Sequence, residues 1–478
     1  MSGLVCLGSN QGVSGQVERD CMGPSASADS PCSLGIGPLQ NKKKINLTTA
    51  TSIVVANMIG TGVFTSLGFQ VVDIKSGFSL LLIWLIGGIF ALCGALSYGE
   101  LGAAFPRSGG EYNFLSRVYH PGLGFMSGWV SATVGFAAPV AAAAMALGEH
   151  LSRVIPSLDS MVIALVVVGS VSGIHTVNVK LGSYFQNIFT GLKIVLILAL
   201  VGAGLVLGES QGLSFMPSSE SIWDIPSMPF AVSLVFVMYS YSGWNASTYI
   251  AGEVQNPQRN IPRSLFIGTA LVTALYLSLN LVFLYTTTLE SLANEVEVGF
   301  IVANSIFGES GGKIMAGLIS LALISSISSM VWAGPRVTQV IGEDIPFFRM
   351  LARKNREGIP FAAIVLQMLI AGALVITATF ETVITYTTYT LVLSTFITVA
   401  GVLVLRVRRP DLDRPYRTWG YPVPPLIFIL ISLWMLVYLP LSRPWEALSG
   451  VLTLLSGLLV YYIASRFSIG QSRDQGGK

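Results

Sequence analysis

The chain of 478 residues is 52% hydrophobic and 11% charged, and its mean hydropathy is +0.69. About a quarter of the residues in soluble domains are charged, so this composition excludes an ordinary soluble protein and predicts a polytopic membrane protein. The formal net charge of +3 gives no reason to expect a nucleic-acid partner, because the basic residues follow the membrane topology described below.

Residues 1–41 precede the first apolar run and are rich in Gly, Ser and Pro. They lack the charged segment and apolar core of a signal peptide, and their composition predicts a disordered tail. Cys6, Cys21 and Cys32 lie in this tail, and Cys93 lies in the second apolar run. Cysteines placed in this way predict no disulfide framework.

Runs of about 20 apolar residues, long enough to cross the hydrocarbon core of a bilayer, recur through the rest of the sequence. They predict an all-α membrane protein with twelve transmembrane helices, called spans 1 to 12 in chain order: 47–70, 78–104, 122–147, 159–176, 183–207, 227–251, 264–287, 300–332, 360–379, 382–405, 423–440 and 446–466. The predicted division is a tail (1–41), spans 1–5 (42–207), spans 6–10 (208–409), spans 11–12 (410–467) and a second tail (468–478).

Basic residues predict the orientation of these spans, because Lys and Arg in short connections stay on the cytoplasmic side. With the N-terminus inside, the even-numbered connections and the tails hold 22 of the 27 Lys and Arg residues, and the odd-numbered connections hold 4. Both termini are therefore expected in the cytoplasm. The remaining basic residue, Lys193, lies inside span 5.

Span 1 contains Gly60-Thr61-Gly62, in which two poor helix formers stand in the middle of an apolar run. An interrupted helix in hydrocarbon needs partners for its free N–H and C=O groups. A half-helix that begins near Thr61 or Gly62 would direct N–H groups toward the membrane centre, where a carboxylate fits. The alternative is that Gly60 and Gly62 allow close packing of a neighbouring helix.

Span 6 carries a polar stretch, Tyr239 to Trp244, in the same place relative to the second five spans as Gly60–Gly62 has in the first five. Transporters built from inverted repeats break one helix in each half at such positions, so the match favours a binding site over simple packing. The half-helix that ends near Ser240 would present carbonyls that accept from an ammonium group. Two facing breaks predict a site for a zwitterion, with Tyr239 as its gate.

Lys193 lies about ten residues into span 5, with apolar residues on its C-terminal side. A buried ionisable residue is expensive in a membrane and predicts a function, although its side chain could instead reach back to the interface. Its ammonium could tether span 1 to span 8 in the place of an ion, or exchange protons. Span 8 offers four serines, which suit either helix packing or a polar wall of the site: Ser325, Ser326, Ser328 and Ser329.

Two connections on the predicted cytoplasmic side, after spans 2 and 6, are rich in the turn formers Gly and Pro. Their charged residues could pair across the inner mouth as a gate, or could simply be solvated: Glu100, Arg107, Glu111, Glu253, Arg259 and Arg263.

Four stretches taken in order resemble the amino acid-polyamine-organocation permeases, and most closely the bacterial relatives of the L-type amino acid transporters. They are GTGVF in span 1, ELGAAFPRSGGEY after span 2, YSGWN followed by EVQNPQRNIPRSL around span 6, and GPRVTQVIGEDIPFF after span 8. Each motif is weak alone, but the combination is specific. The resemblance covers about residue 42 to the end of span 12 and implies a five-plus-five inverted repeat with broken helices 1 and 6, plus two additional helices.

The resemblance also implies roles for residues at the two breaks. Backbone donors would hold the substrate carboxylate at Gly60, Thr61 and Gly62. Carbonyls of the unwound stretches would hold the amino group at Met58 or Ile59, Tyr239 and Ser242, with Ser240 and Gly243 in the same stretch. Lys193 would replace the sodium ion of sodium-coupled relatives, and Tyr239 and Trp244 would form the gate.

The expected function is secondary active transport of amino acids, sodium-independent, by exchange or proton coupling. Neutral substrates are favoured because no Asp or Glu lies deep in spans 1, 3, 6, 8 or 10; a polyamine or cationic amino acid antiporter of the same fold is the alternative. A membrane enzyme is disfavoured, since the three histidines lie far apart and form no HExxH motif.

No cofactor or metal is expected, and the expected partners are the amino acid substrate and the lipid bilayer. The absence of an extracellular cysteine in the predicted topology argues against a disulfide-linked heavy-chain glycoprotein. The expected state is a monomer or homodimer in the cell membrane, the bacterial inner membrane in particular.

Overall fold

The computed structural model describes residues 45–177, 179–356 and 358–475, and all the regular elements in them are helical. Ten helical stretches are long and apolar enough to cross a membrane, and Met228–Tyr241 and Phe361–Thr377 are shorter apolar helices. These twelve coincide with the twelve predicted spans, so the predicted all-α polytopic class is confirmed. The predicted tail at residues 1–41 lies outside the described residues.

The observed helices have these bounds. Span 1 is divided into 1a (Leu47–Met58) and 1b (Gly62–Asp73), and span 6 into 6a (Met228–Tyr241) and 6b (Ala246–Tyr249). The others are span 2 (Gly77–Ala104), span 4 (Ser160–Val177), span 5 (Val179–Leu207), span 7 (Pro257–Thr286), span 9 (Phe361–Thr377), span 10 (Phe380–Arg408), span 11 (Val423–Ser442) and span 12 (Pro444–Gln475). Short helices in the connections are Glu111–Val118, Ser219–Asp224 and Leu289–Leu292.

Spans 3 and 8 depart from regular helices. Span 3 runs as Pro121–Val130 and Ala137–Val154 with a π-helical turn at Ser131–Gly135 between them, a distortion that is frequent at functional sites. The helix Val298–Asp344 bends at Gly308, whose φ is +72°, a value that glycine adopts without strain. Span 8 proper therefore starts after Gly308.

Several predicted boundaries are wrong because the helices extend beyond their apolar parts. Span 7 begins at Pro257 and not at residue 264, since proline is well suited to the first turn of a helix. The connection after span 6 is therefore partly helical. Span 8 continues to Asp344 and span 12 to Gln475, so part of the predicted second tail at 468–478 is helix.

Burial separates a central group of spans from a peripheral group. The most apolar stretch of span 1 is 89% buried, whereas those of spans 4, 11 and 12 are each 28% buried. The exposed positions of the peripheral spans are apolar, for example Val166, Val195, Leu430 and Leu459. Such a surface fits contact with lipid. The same burial pattern shows that both interrupted helices lie at the centre of the protein, where irregular backbone is tolerated.

Candidate substrate site

Both predicted interruptions are present in the structure. Span 1a ends at Met58 and span 1b begins at Gly62, with the non-helical residues Ile59 to Thr61 between them. Span 6a ends at Tyr241, after which Gly243 takes a φ of +93° before span 6b begins. Only glycine adopts this φ easily, so its position in the chain fixes where span 6 unwinds.

The two breaks touch each other, backbone against backbone. A Cβ atom at Gly62 would lie 2.5 Å from the Cα of Ser240, and one at Gly243 would lie 2.9 Å from the carbonyl carbon and oxygen of Asn57. Side chains nearby join the same two spans, because the Ser66 Oγ lies 2.9 Å from the Ser240 Oγ. Both alternatives for the span 1 glycines therefore apply at Gly62, which is at once a packing contact and part of the break.

Span 1b presents free donors at its start. The first N–H groups of a helix have no partner within it, and within the described residues no protein acceptor lies against the N–H groups of Thr61, Gly62 and Val63. The Gly60 N–H differs, since it donates to the Met58 carbonyl at 2.8 Å. The donors open to a ligand are thus shifted toward Val63 from the predicted set of Gly60, Thr61 and Gly62.

All but one of the predicted carbonyl acceptors already have protein partners. Met58 accepts from the Tyr276 hydroxyl at 2.6 Å, and Ile59 accepts from Lys193 Nζ at 2.7 Å. Tyr239 accepts from the Ser242 N–H at 2.9 Å. Within the described residues, the Ser242 carbonyl has no hydrogen-bond donor, so it is the member of the predicted set that is open to an amino group.

Lys193 connects span 5 to the break in span 1 and to span 8. Its side chain is 1% exposed, which excludes the interfacial position. The ammonium donates to the carbonyls of Ile59 and Ala56 at 2.7 and 3.3 Å and to the Ser326 Oγ at 2.6 Å. These three acceptors match the three N–H groups of an ammonium.

Three of the four predicted serines of span 8 contact other helices, whereas Ser329 donates to the Ser326 carbonyl of its own helix. Ser326 donates to the Ile59 carbonyl at 2.8 Å in addition to accepting from Lys193. Ser325 accepts from Gln186 of span 5 at 3.4 Å, and Ser328 lies 2.8 Å from His175 of span 4. These contacts favour the packing interpretation, with Ser326 also touching the break.

A partly open cavity lies beside the breaks, and the space in it that a water-sized molecule can occupy is about 70 Å³. Of the predicted residues, Tyr239, Ser242, Gly243 and Trp244 line it, whereas the span 1 residues Met58 to Gly62 do not. Sequence reasoning missed the other lining residues, which include Asn57, Phe136, Asn245, Tyr249, Met330, Thr388 and Thr395. Only the asparagine of the YSGWN motif gave a signal that could have identified one of them. The lining residues carry no charged side chain.

Tyr239, which lines the cavity, belongs to an apolar cluster that includes aromatic side chains of spans 1b and 6a. The Tyr239 hydroxyl lies 3.3 Å from the Thr61 Oγ1, so the predicted gate residue bridges the two breaks. Beyond it, Phe69 of span 1b stacks on Phe236 of span 6a with ring centroids 5.0 Å apart. Trp244 instead packs edge-on against Tyr98, with centroids 4.7 Å apart, on the other side of the break.

At the opposite end, the predicted gate charges form ion pairs with residues outside the predicted set. Arg107 bonds Asp344 at 2.7 Å, Glu253 bonds Arg336 at 3.1 Å, and Glu100 bonds Arg406 at 2.7 Å and Arg414 at 3.4 Å. Three of the six predicted charges thus form ion pairs, but not with one another: the partners lie on span 8 and on the end of span 10 and its following connection.

Glu111 has neutral partners instead. This buried carboxylate accepts from Tyr98 at 2.9 Å and from Asn245 at 2.6 Å. For Arg259 and Arg263 the described part of the chain provides no ion pair.

The described residues form twelve apolar spans, two of which are interrupted and meet beside an uncharged cavity, and this arrangement defines a membrane transporter of the broken-helix class. The chain belongs to the amino acid permease family, whose model matches residues 45–461.

Similar proteins match almost the whole chain. It is 28% identical to the human b(0,+)-type amino acid transporter 1 over an alignment of 445 residues. The alignment covers 90% of this chain and 89% of the human protein. It is 27% identical to the serine/threonine exchanger SteT of Bacillus subtilis (88% and 96% covered) and 25% identical to the large neutral amino acids transporter small subunit 2 of mouse (92% and 84% covered).

Proposed function

We propose that the chain is a sodium-independent secondary transporter of neutral amino acids that works by exchange or proton coupling. The observation that carries this proposal is the uncharged cavity beside two interrupted helices, one of which offers free N–H donors and the other a free carbonyl. A zwitterion needs these two kinds of group. A cationic side chain or a polyamine would need an acidic partner, which the cavity lining lacks.

In this proposal the substrate carboxylate binds at the start of span 1b, to the N–H groups of Thr61, Gly62 and Val63. The partial positive charge of the helix N-terminus supports an anion there. The amino group binds to the Ser242 carbonyl, and the side chain extends toward Phe136 of span 3 and Thr388 of span 10. Tyr239 closes the site from one side, and Trp244 forms part of the wall on the other.

Lys193 supports the sodium-independent part of the proposal. Its ammonium places a cation against the carbonyls of Ala56 and Ile59 and the hydroxyl of Ser326. These oxygen atoms would suit a hard metal cation, but the ammonium already occupies the space among them. We therefore expect transport without a sodium requirement.

We further propose that the transporter resides in the cell membrane, the bacterial inner membrane, with both termini cytoplasmic. The support is the excess of basic residues in the even-numbered connections and the likeness to a Bacillus subtilis exchanger. We expect a monomer or homodimer without a heavy-chain glycoprotein, because Cys93 is buried and the other cysteines belong to the N-terminal tail.

Uptake into proteoliposomes tests the proposal. Labelled neutral, cationic and acidic amino acids are offered in sodium chloride and in choline chloride, with and without unlabelled substrate inside and with and without a proton gradient. We expect uptake of neutral amino acids that is equal in the two salts and is increased by internal substrate or by the proton gradient. Uptake restricted to cationic substrates, or uptake that requires sodium, would refute it.

A further inference from the structure

The hydroxyl group of Tyr276 lies between the two breaks, although its own helix, span 7, is continuous there. It is 2.6 Å from the carbonyl oxygen of Met58, the last residue of span 1a, and 3.0 Å from the carbonyl oxygen of Ser240, in the last turn of span 6a. One phenol thus contacts a helix-end carbonyl of each interrupted span.

These carbonyls need a donor. The last four C=O groups of a helix have no partner within it, and the ends of both half-helices carry partial negative charge. Two such ends that face each other in buried surroundings repel unless a donor stands between them. Met58 has a second donor in the Gly60 N–H, whereas for Ser240 the hydroxyl of Tyr276 is the donor found within the described residues.

The position of the hydroxyl is fixed by aromatic packing. The side chain of Tyr276 is fully buried. Its ring stands edge-on to Trp84 of span 2, with centroids 5.6 Å apart, and packs against Tyr241 at 5.0 Å. Span 7 also packs on spans 1a and 2. Because the ring has neighbours on two spans, the hydroxyl has little freedom to leave the two carbonyls.

We infer that Tyr276 is a positioning residue for transport. It holds the carbonyl ends of the two half-helices together and turns them toward span 7. The hydroxyl is used by the carbonyls of Met58 and Ser240, and neither is among the groups proposed to hold the substrate, so the hydroxyl orients the breaks without touching the substrate. This role rests on the proposed function, since it assumes that the breaks form the substrate site.

The expected effect is on apparent affinity more than on turnover. Without the hydroxyl, the Ser240 carbonyl is left buried and unpaired in the arrangement that binds substrate. The arrangement then becomes less populated, and apparent affinity falls by the same factor. The penalty for one unpaired buried group corresponds to a rise in KM of about tenfold.

Tyr276→Phe tests the inference, because it removes the hydroxyl and keeps the ring. KM and maximal rate are measured for a labelled neutral amino acid in proteoliposomes. We expect a KM about tenfold higher, with a maximal rate per folded transporter within about threefold of wild type. Lower expression does not disturb the test, since KM is independent of the amount of folded protein.

Tyr119→Phe is the matched control. Its hydroxyl also donates to a backbone carbonyl, that of Ile397 in span 10, at 3.2 Å. Tyr119 itself lies in the connection between spans 2 and 3 and belongs to neither break. We expect an unchanged KM in this variant. If Tyr276→Phe yields no folded protein, Tyr276→Met takes its place, because methionine also lacks a donor and adapts to an aromatic cage.

The outcomes separate the two proposals. Wild-type protein that transports no amino acid contradicts the proposed function. Wild-type protein that transports, together with a Tyr276 variant of unchanged KM, overturns the positioning role alone. A raised KM in both Tyr276→Phe and Tyr119→Phe also overturns it, because the effect would then be common to phenols that donate to a backbone carbonyl.

Discussion

Replacement of Lys193 by alanine is expected to reduce transport by about 100-fold or more. The change removes a buried ammonium that donates at 2.7 Å to Ile59, 3.3 Å to Ala56 and 2.6 Å to Ser326. Hydrogen bonds to charged groups contribute about 1.5–3 kcal/mol each. Ile59 keeps the Ser326 hydroxyl as a donor at 2.8 Å, whereas the Ala56 carbonyl loses its ammonium partner. The contributions of the two shorter bonds, to Ile59 and Ser326, are not fully additive because both involve one ammonium. We therefore take the net loss of free energy as about 3 kcal/mol.

Initial uptake rates in proteoliposomes with equal amounts of folded protein measure this effect. Lys193→Met keeps most of the side-chain volume and separates the loss of charge from the loss of packing. Lys313→Ala is the control, because that lysine is half exposed and pairs with Glu309 four residues earlier on the same helix. Unchanged uptake by Lys193→Ala would show that the contact with Ile59 has no role in the transport cycle.

Three further changes give distinct expectations. Gly62→Ala should abolish uptake, since the new Cβ would lie 2.5 Å from the Cα of Ser240 in span 6. Gly60→Ala should retain uptake, because the nearest atoms would lie 3.9 Å from its Cβ. Equal activity of the two variants would contradict the arrangement of the breaks. Tyr239→Phe removes the 3.3 Å contact with Thr61 and should change KM by less than about fivefold, so a total loss would mean that the hydroxyl does more than close the site. Burial raises the pKa of the Glu111 carboxyl, so its contribution to stability is present at acid pH and is lost as pH rises through the raised pKa. The thermal unfolding temperature of Glu111→Gln should lack this pH dependence. Identical pH profiles for the variant and the wild type would show that Glu111 does not cause it.

The two breaks could be predicted because their signal is local. Gly60-Thr61-Gly62 and the stretch from Tyr239 to Trp244 are polar or glycine-rich within apolar runs, and each is unusual where it stands. Lys193 was predictable for the same reason, as a charge in an apolar segment. In these cases a single residue type in the wrong surroundings identifies a site.

The partners of these residues could not be predicted, because they are ordinary in their own segments. A tyrosine such as Tyr276 within a long apolar helix is typical of packing, and Met58, to which it donates, lies 218 residues away in the sequence. The same holds for Arg336 and Asp344, which pair with Glu253 and Arg107 from the far end of span 8. Their pairing depends on how spans pack, which the pattern of apolar runs does not specify.

The structure satisfies the two kinds of backbone group at the breaks unequally, and this has a consequence for recognition. Tyr276, Lys193 and Ser326 supply donors to the carbonyls of Met58, Ile59 and Ser240, whereas the first N–H groups of span 1b have no protein acceptor within the described residues. An unpaired buried polar group is costly, so a ligand gains most at the groups that are still free, which are the three N–H groups at the start of span 1b and the single carbonyl of Ser242. With three free donors and one free acceptor, the carboxylate of the proposed substrate should contribute more to binding than its amino group, and the uncharged cavity leaves the choice of side chain mainly to shape.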